Sequence, residues 1–318
     1  MKQPTVPEQV LAQPLHAGDT IGIVTTGAPD PASNPEAFDR GVARLQDLGF
    51  TIRLAEHART QEGYAAGSEG DLARDLLGMF EDPEISAIFC SGGGLTANRL
   101  LRNLDTETIA RNPKIFLGAS NPTILLNAIA ARTGLVTFHG PATVWDWGAE
   151  GDVPQWTVDH FMQVMSGTPS AASLTGSSLS PLKPGSAEGL LYGGSLSSLR
   201  ALLGTPWEPP WDDAILIWED VAKGTDYLDT VLTHFRDHGV LDRISGMIIG
   251  ELASCEPAGG RGLEDLVEDL LGEYSFPVVS GLSFGHTPLK HTLPLGTNIS
   301  ITSDGPRISI SGKWLADD

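Results

Sequence analysis

The sequence predicts an α/β fold built in two units. Short β-branched apolar runs alternate with amphipathic helical stretches as far as Gly140. The pattern then breaks at Ser166–Ser186, which is rich in Ser, Thr, Gly and Pro. A second strand–helix alternation follows it. Strand-length apolar runs joined by helices give parallel sheets covered on both faces. The expected division is a first domain over 15–150, a connecting segment over 151–186 and a smaller second α/β domain over 187–318.

The first strand signal is Asp19–Thr25, short, apolar and β-branched like a strand buried on both faces. A Gly/Pro/Asn/Ser loop over Gly27–Pro35 leads to a helix over Pro35–Leu48, with Phe38, Val42, Leu45 and Leu48 on one face. Gly49 ends it. Thr51–Leu54 is the second strand, Glu69–Phe80 a helix, Ile85–Cys90 the third strand and Ser91-Gly92-Gly93-Gly94 a tight loop. A helix over Ala97–Leu104, a strand over Lys114–Gly118 and a helix over Pro122–Thr133 complete the first unit. Trp156–Met165 reads as a helix ahead of the connecting loop. The second unit alternates helix Leu196–Leu203, strand Ala214–Trp218, helix Tyr227–His238, strand Gly246–Ile249, helix Leu263–Leu271 and strand Val278–Ser280. It ends in a hairpin, Asn298–Thr302 with Arg307–Ser311, turned at Asp304-Gly305.

Composition narrows the function. The 318 residues hold 20 Lys+Arg against 40 Asp+Glu, a formal charge of −20. A nucleic-acid polymer needs a basic footprint, so that partner class is excluded, and anionic lipid is disfavoured. Two cysteines, Cys90 and Cys255, are too few for a disulfide framework or a four-cysteine zinc site. No signal-peptide run and no membrane-spanning apolar stretch stand out, so a cytoplasmic protein without a membrane partner is expected.

The sharpest local pattern is Lys114–Leu125, KIFLGASNPTIL: a buried strand running through a two-residue corner into a helix. This is the outline of a nucleophile elbow, G-x-S-x-G, with Gly118 and Ser120 in place and Pro122 where the last Gly stands. Pro suits a helix start, and Asn121 tolerates unusual backbone angles. Ser120 would then sit above a helix N-terminus, whose positive end favours developing negative charge, with the Asn121 N–H as oxyanion donor. The competing reading of Ser120 is a plain helix N-cap. Gly92-Gly93-Gly94 can complete an oxyanion hole, hold a phosphate, or simply turn the chain; no nucleotide-binding signature accompanies it. Cys90, ending an apolar strand, reads as packed core more than as a nucleophile. A serine nucleophile needs a base and an orienting carboxylate. His286 in FGHTP and His139 in FHGP are the loop histidines in position for the first role. Glu219, closing the apolar run Ala214–Trp218, fits the second, or is a loop carboxylate beside Asp220.

These residues belong to a wider match. GDTIGIV (18–24), NPKIFLGASNPT (112–123), TGLVTFHGPA (133–142), GGSLSSLRALLGTPW (193–207), ILIWEDV (215–221), GVLDRISGMIIG (239–250), GHTP (285–288) and TLPLG (292–296) together resemble the serine peptidase family of LD-carboxypeptidase and the microcin C immunity protein. The resemblance spans nearly the whole chain. It implies a flavodoxin-like N-terminal domain, an active site between the domains and a Ser–His–Glu triad. Residue by residue it implies Ser120 as nucleophile, His286 as general base, Glu219 as its orienter, and oxyanion donors at Asn121 and at Gly93 or Gly94. His139 and Trp207 become expected substrate-lining residues. No metal and no cofactor is implied, and a homodimer is. The implied activity is amide hydrolysis of peptidyl- or aminoacyl-nucleotides, as in the immunity proteins. The aromatic residues Trp145, Trp147, Trp207 and Trp211 lean that way, since indoles stack on bases. The alternative is a murein tetrapeptide LD-carboxypeptidase of cell-wall recycling. Departures from the family pattern leave a catalytically weak small-ligand binder as an alternative of another class. Ala119-Ser120-Asn121 replaces Tyr-Ser-Asp, Ser-Gly-Gly-Gly-Leu lacks the usual Arg or Tyr, and Thr230 follows Asp229 in place of Arg.

Overall fold

The computed structural model describes residues 6–174 and 178–317. Residues 1–5, residues 175–177 of the expected connecting segment and residue 318 lie outside the described residues. The strands are β1 (Thr20–Val24), β2 (Thr51–Leu54), β3 (Ala87–Cys90), β4 (Ile115–Gly118), β5 (Thr137–His139), β6 (Ser173–Leu174), β7 (Ser180–Lys183) and β8 (Ser186–Ser195). They continue as β9 (Ile215–Glu219), β10 (Gly246–Gly250), β11 (Val278–Leu282), β12 (Leu293–Leu295), β13 (Asn298–Thr302) and β14 (Arg307–Ile310).

Two sheets result. The first runs β12-β5-β4-β3-β1-β2, with β1 to β5 all parallel and β12 antiparallel at the β5 edge. Its parallel part has the flavodoxin-like order, which opens a crevice at the carboxyl ends of the strands where the order reverses. The second runs β6-β14-β13-β8-β9-β10-β11-β7, with a parallel centre, β8 to β11, and antiparallel edges. The central strands β3, β4, β9 and β10 are buried along their whole length, which explains their unbroken apolar sequences.

Several segments differ from the sequence reading, among them strand β5 and a short helix over Thr106–Arg111, neither of which was expected. The Ser/Pro-rich stretch read as loop contributes β6 and β7, which take their hydrogen bonds from β14 and β11 at the sheet edges. The ten-residue strand β8, whose glycines hid it, lies at the centre of the second sheet. Strand β12 crosses back to the first sheet, so the C-terminal part of the chain finishes the N-terminal sheet.

Helix Thr123–Thr133 lies between the two sheets and is buried on nearly every side. Its Asn127 amide bridges to β8: Nδ2 donates to Gly193 O at 2.8 Å, and Oδ1 accepts the Gly193 N–H at 2.8 Å. Thr123 Oγ1 accepts the Ser195 N–H at 3.1 Å. Gly194 is needed for this approach, since a Cβ there would lie 2.5 Å from Thr123 Oγ1. These bonds fix the start of the helix, and the corner before it, against the second sheet. Asn127→Leu keeps the volume but strands one buried N–H and one buried C=O, at roughly 1–3 kcal/mol each. Chemical denaturation is expected to show a loss of about 2–4 kcal/mol, with the same denaturant slope as the parent.

Candidate active site

The carboxyl ends of β1, β3, β4 and β5 open onto one cavity of about 720 Å³. From the first sheet it is lined by Ala28, Asp30, Gly93, Gly94, Ala119, Ser120 and the 142–157 segment. Val221 and the 285–290 loop close it from the other side. A cavity of this size suits a small organic or peptide ligand.

Ser120 occupies the corner between β4 and helix Thr123–Thr133, with φ at +62°. A non-glycine residue in the left-handed region costs roughly 1–3 kcal/mol and persists only where its surroundings enforce it. Asn121, the residue expected to absorb the unusual geometry, does not: the strain sits on Ser120 itself. The Asn121 side chain is used to tie the corner instead. Its Oδ1 accepts the Ala97 N–H at 2.8 Å and its Nδ2 donates to Ser198 Oγ at 3.3 Å. Gly118 is required before the corner because a Cβ there would lie 2.7 Å from the Pro122 ring and 3.1 Å from Cys90 Sγ. Cys90 is fully buried, and burial pushes its thiol up to about 12, so it is an inert core residue.

The glycine loop comes directly against the serine. A Cβ on Gly93 would lie 3.0 Å from Ser120 Oγ. Gly93 N–H donates to Asp30 Oδ2 at 2.9 Å, and Gly93 O accepts from Ala28 N at 3.1 Å. Both polar groups of Gly93 are therefore engaged. The backbone N–H groups of Gly94 and Asn121 have no protein partner among the described residues.

His286 presents its imidazole to the cavity, and Glu219, at the end of β9, is buried behind it. His286 Nδ1 lies 2.8 Å from Glu219 Oε2, which also accepts the His286 backbone N–H at 3.3 Å. A carboxylate only accepts, so Nδ1 carries the proton and Nε2 is left as the basic nitrogen. Burial lowers the His286 pKa, but the hydrogen bond and charge of Glu219 outweigh it, and the imidazole ends above its ordinary value. Gly285 makes room for the pair, as a Cβ there would lie 2.2 Å from Glu219 Cδ. Asp220 plays a separate part: its carboxylate accepts the Ser197 N–H at 2.8 Å and holds the turn after β8.

The sequence-expected residues thus divide. Ser120, Gly93, Gly94 and His286 line one cavity, with Glu219 in contact with His286 and Asn121 next to Ser120. His139 and Trp207 do not line it. His139 is fully buried at the end of β5, where burial pushes its pKa down to about 3 and keeps the ring neutral. Trp207 packs against the hydrophobic core, and Trp147 and Trp211 are buried in it, leaving Trp145 as the indole on the cavity. Asp30, Asp146 and Lys290 line the cavity without having been expected there. Single charged residues in loops carry no periodic signal. Only the isolated Lys290 within the uncharged run Thr287–Gly296 stands out. Among the described residues one group, Glu56, His57 and Asp75, brings three metal-donor atoms within 4.8 Å of one another. It lies outside the cavity lining, and Asp75 is spent on the His57 backbone N–H and Nδ1.

Comparison with known proteins places this geometry. Residues 21–140 match the model of the LD-carboxypeptidase N-terminal domain and residues 188–301 that of its C-terminal domain. The chain belongs to the LD-carboxypeptidase family. It is 32% identical to a probable murein peptide carboxypeptidase of Bacillus subtilis over 91% of this chain and 90% of that protein. It is 31% identical to the microcin C7 self-immunity protein MccF of Escherichia coli over 97% of this chain and 98% of that protein. The solved structure of MccF in its wild-type apo state superposes with a TM-score of 0.92, at 29% identity, covering 96% of this chain and 100% of that one. As a member of the LD-carboxypeptidase family the chain is a hydrolase of the serine peptidase type with the two-part α/β fold seen here.

Two measurements follow from the electrostatics. The His286 imidazole should titrate above the ordinary range of about 6.5 by NMR, and Glu219→Gln should bring it below that value, because burial and the Lys290 charge then oppose protonation against Asp220 alone. For His139 the sign is opposite. The unfolded state takes up a proton near pH ~6.5, while the folded ring resists to about 3. Stability present above that range is lost as pH falls through it, at up to ~1.4 kcal/mol per pH unit. Between pH 7 and pH 5 the folding free energy of a His139→Leu variant is expected to fall less than that of the parent.

Proposed function

We propose that Ser120, His286 and Glu219 form a catalytic triad for amide hydrolysis in this cavity. The observation that carries the reading is the left-handed Ser120 at a helix N-terminus, sharing a cavity with an imidazole whose Nδ1 is held by a buried carboxylate. Ser120 Oγ attacks the carbonyl carbon and its proton passes to His286 Nε2. Glu219 stabilises the imidazolium so formed. The Asn121 and Gly94 N–H groups receive the oxyanion, and the N-terminus of helix Thr123–Thr133 adds to their field. Gly93, the other expected donor, serves through its bond to Asp30. The imidazolium then protonates the leaving amine as the C–N bond breaks. A water molecule, deprotonated by His286, releases the acyl group from Ser120.

For the substrate we favour aminoacyl- or peptidyl-nucleotide amides. A mutant of MccF has been solved with adenosine monophosphate, and MccF with aspartyl sulfamoyl adenosine. In this chain the half-exposed Trp145 indole, anchored by its Nε1 to Asp30 Oδ2 at 2.9 Å, offers a fixed face for a base. The second reading is a murein tetrapeptide, favoured by the Bacillus subtilis relative. Glu150 and Asp152 at the cavity suit a peptide ammonium. A homodimer belongs to the proposal through family kinship. A cytoplasmic location belongs to it through the two free thiols, Cys90 and Cys255. Among the described residues no helix is long and apolar enough to cross a membrane.

Ser120→Ala is expected to fold and to lose at least about 10³-fold in kcat on whichever substrate the parent cleaves. Retention of turnover would remove Ser120 from the mechanism. Parallel assays with aspartyl sulfamoyl adenosine and murein tetrapeptide assign the substrate class, with Trp145→Ala raising KM for the nucleotide and not for the tetrapeptide, whatever it does to kcat on both.

A further inference from the structure

The turn Thr143–Trp147, after β5, is held rigidly from beneath by helix Pro35–Asp47. Arg40 donates to Gly148 O through Nε at 3.1 Å and Nη2 at 2.8 Å, and Arg44 Nη1 donates to Trp147 O at 2.6 Å. Gly41 permits the contact, since a Cβ there would lie 2.1 Å from Thr143 O. From this turn two consecutive side chains reach the two loops that the proposed reaction needs.

Trp145 Nε1 donates to Asp30 Oδ2 at 2.9 Å, and the same oxygen accepts the Gly93 N–H at 2.9 Å. With Gly93 O pinned by Ala28 N, the Gly93–Gly94 peptide plane is set. In a trans peptide the C=O and N–H point oppositely, so the Gly94 N–H faces away from Ala28. On the other side, Asp146 Oδ2 accepts the Ala142 N–H at 2.7 Å and its Oδ1 pairs with Lys290 Nζ. Lys290 is almost wholly buried and also donates to Gly285 O at 2.7 Å, one residue before His286. A buried ion pair is a poor source of stability, and fixing register is its best-attested use.

We propose that the Thr143–Trp147 turn is a brace holding the oxyanion loop and the base loop in register, which makes Asp30, Asp146 and Lys290 positioning residues for the reaction. The inference rests on the triad reading above. Misplacement of a reacting group by about 1 Å can cost ~10²-fold in rate, so the brace should act on kcat and little on KM.

The test measures kcat, KM and the pH profile on aspartyl sulfamoyl adenosine and murein tetrapeptide. Lys290→Met alone would leave Asp146, partly buried at the cavity wall, without its cation and can fail to fold. The neutral pair Asp146→Asn with Lys290→Met is therefore made beside it, with thermal unfolding as the fold control. The neutral pair is expected to lose about 10–100-fold in kcat with KM within about 3-fold of the parent. The acid limb of kcat/KM should also move to higher pH. His286 faces Glu219 and Asp220 at the end of β9, neutral His139 at the end of β5, and Lys290; the cation that opposes its protonation is removed, and the Asp146 charge removed with it is the one paired to Lys290. Asp30→Ala should slow kcat by a similar factor, and Asp30→Asn, which keeps the acceptor, should restore most of it. A folded neutral pair with parental kcat and an unmoved acid limb overturns the proposal, as does Asp30→Asn behaving like Asp30→Ala. An active parent with unaffected variants sinks the brace alone. A parent that cleaves neither compound sinks the triad reading and the brace with it.

Discussion

A buried carboxylate with a single imidazole for company is the constraint around which the site is organised. Glu219 is wholly inaccessible to solvent, and among the described residues its Oε2 accepts hydrogen bonds only from the His286 ring and backbone N–H. A charge so placed is expensive unless a partner compensates it. The pair therefore dictates its surroundings: a glycine at 285, where any side chain would strike Glu219, and a loop turned so that Nε2 faces the cavity. The same compensation keeps His286 basic despite burial, whereas His139, with no carboxylate partner among the described residues, is held neutral.

Ser120 is strained for a complementary reason. The corner after β4 is closed by the Pro122 ring, the Asn121 side-chain bonds and the Asn127 bridge to β8. These contacts impose a backbone angle that serine does not choose, and they do so from both sheets. The cavity's halves are thus not independent. β12 completes the first sheet from the C-terminal part of the chain, and Lys290 ties the base loop to the Thr143–Trp147 turn.

Much of this was legible from residue order, and the parts that were not share a cause. The buried strands β1, β3, β4, β9 and β10 announce themselves because burial on both faces demands continuous apolar sequence. The elbow at Gly118–Pro122 is readable because its geometry restricts residue type at several adjacent positions. Strands β5, β6, β7 and β12 and the middle strand β8 do not stand out in the sequence: β5, β6 and β12 are only two or three residues long, and glycine and serine mask the alternation in β7 and β8. Ser120, His286 and Glu219 were singled out with the help of family likeness. Asp30 and Lys290 were not, since each owes its place to contacts with residues far away in sequence. Trp207 and His139 look like site residues in a string but are drawn into packing by their own apolar neighbours.

Trapping an acid-quenched intermediate shows whether acyl transfer passes through Ser120 Oγ. The chain would be mixed with excess aspartyl sulfamoyl adenosine and, separately, murein tetrapeptide, quenched within the first turnovers and digested for mass spectrometry. The acyl mass is expected on the peptide bearing Ser120, absent from the Ser120→Ala variant and accumulating when Glu219→Gln slows deacylation. Turnover of either compound with the acyl mass on another residue, or with hydrolysis undiminished in Ser120→Ala, would contradict it.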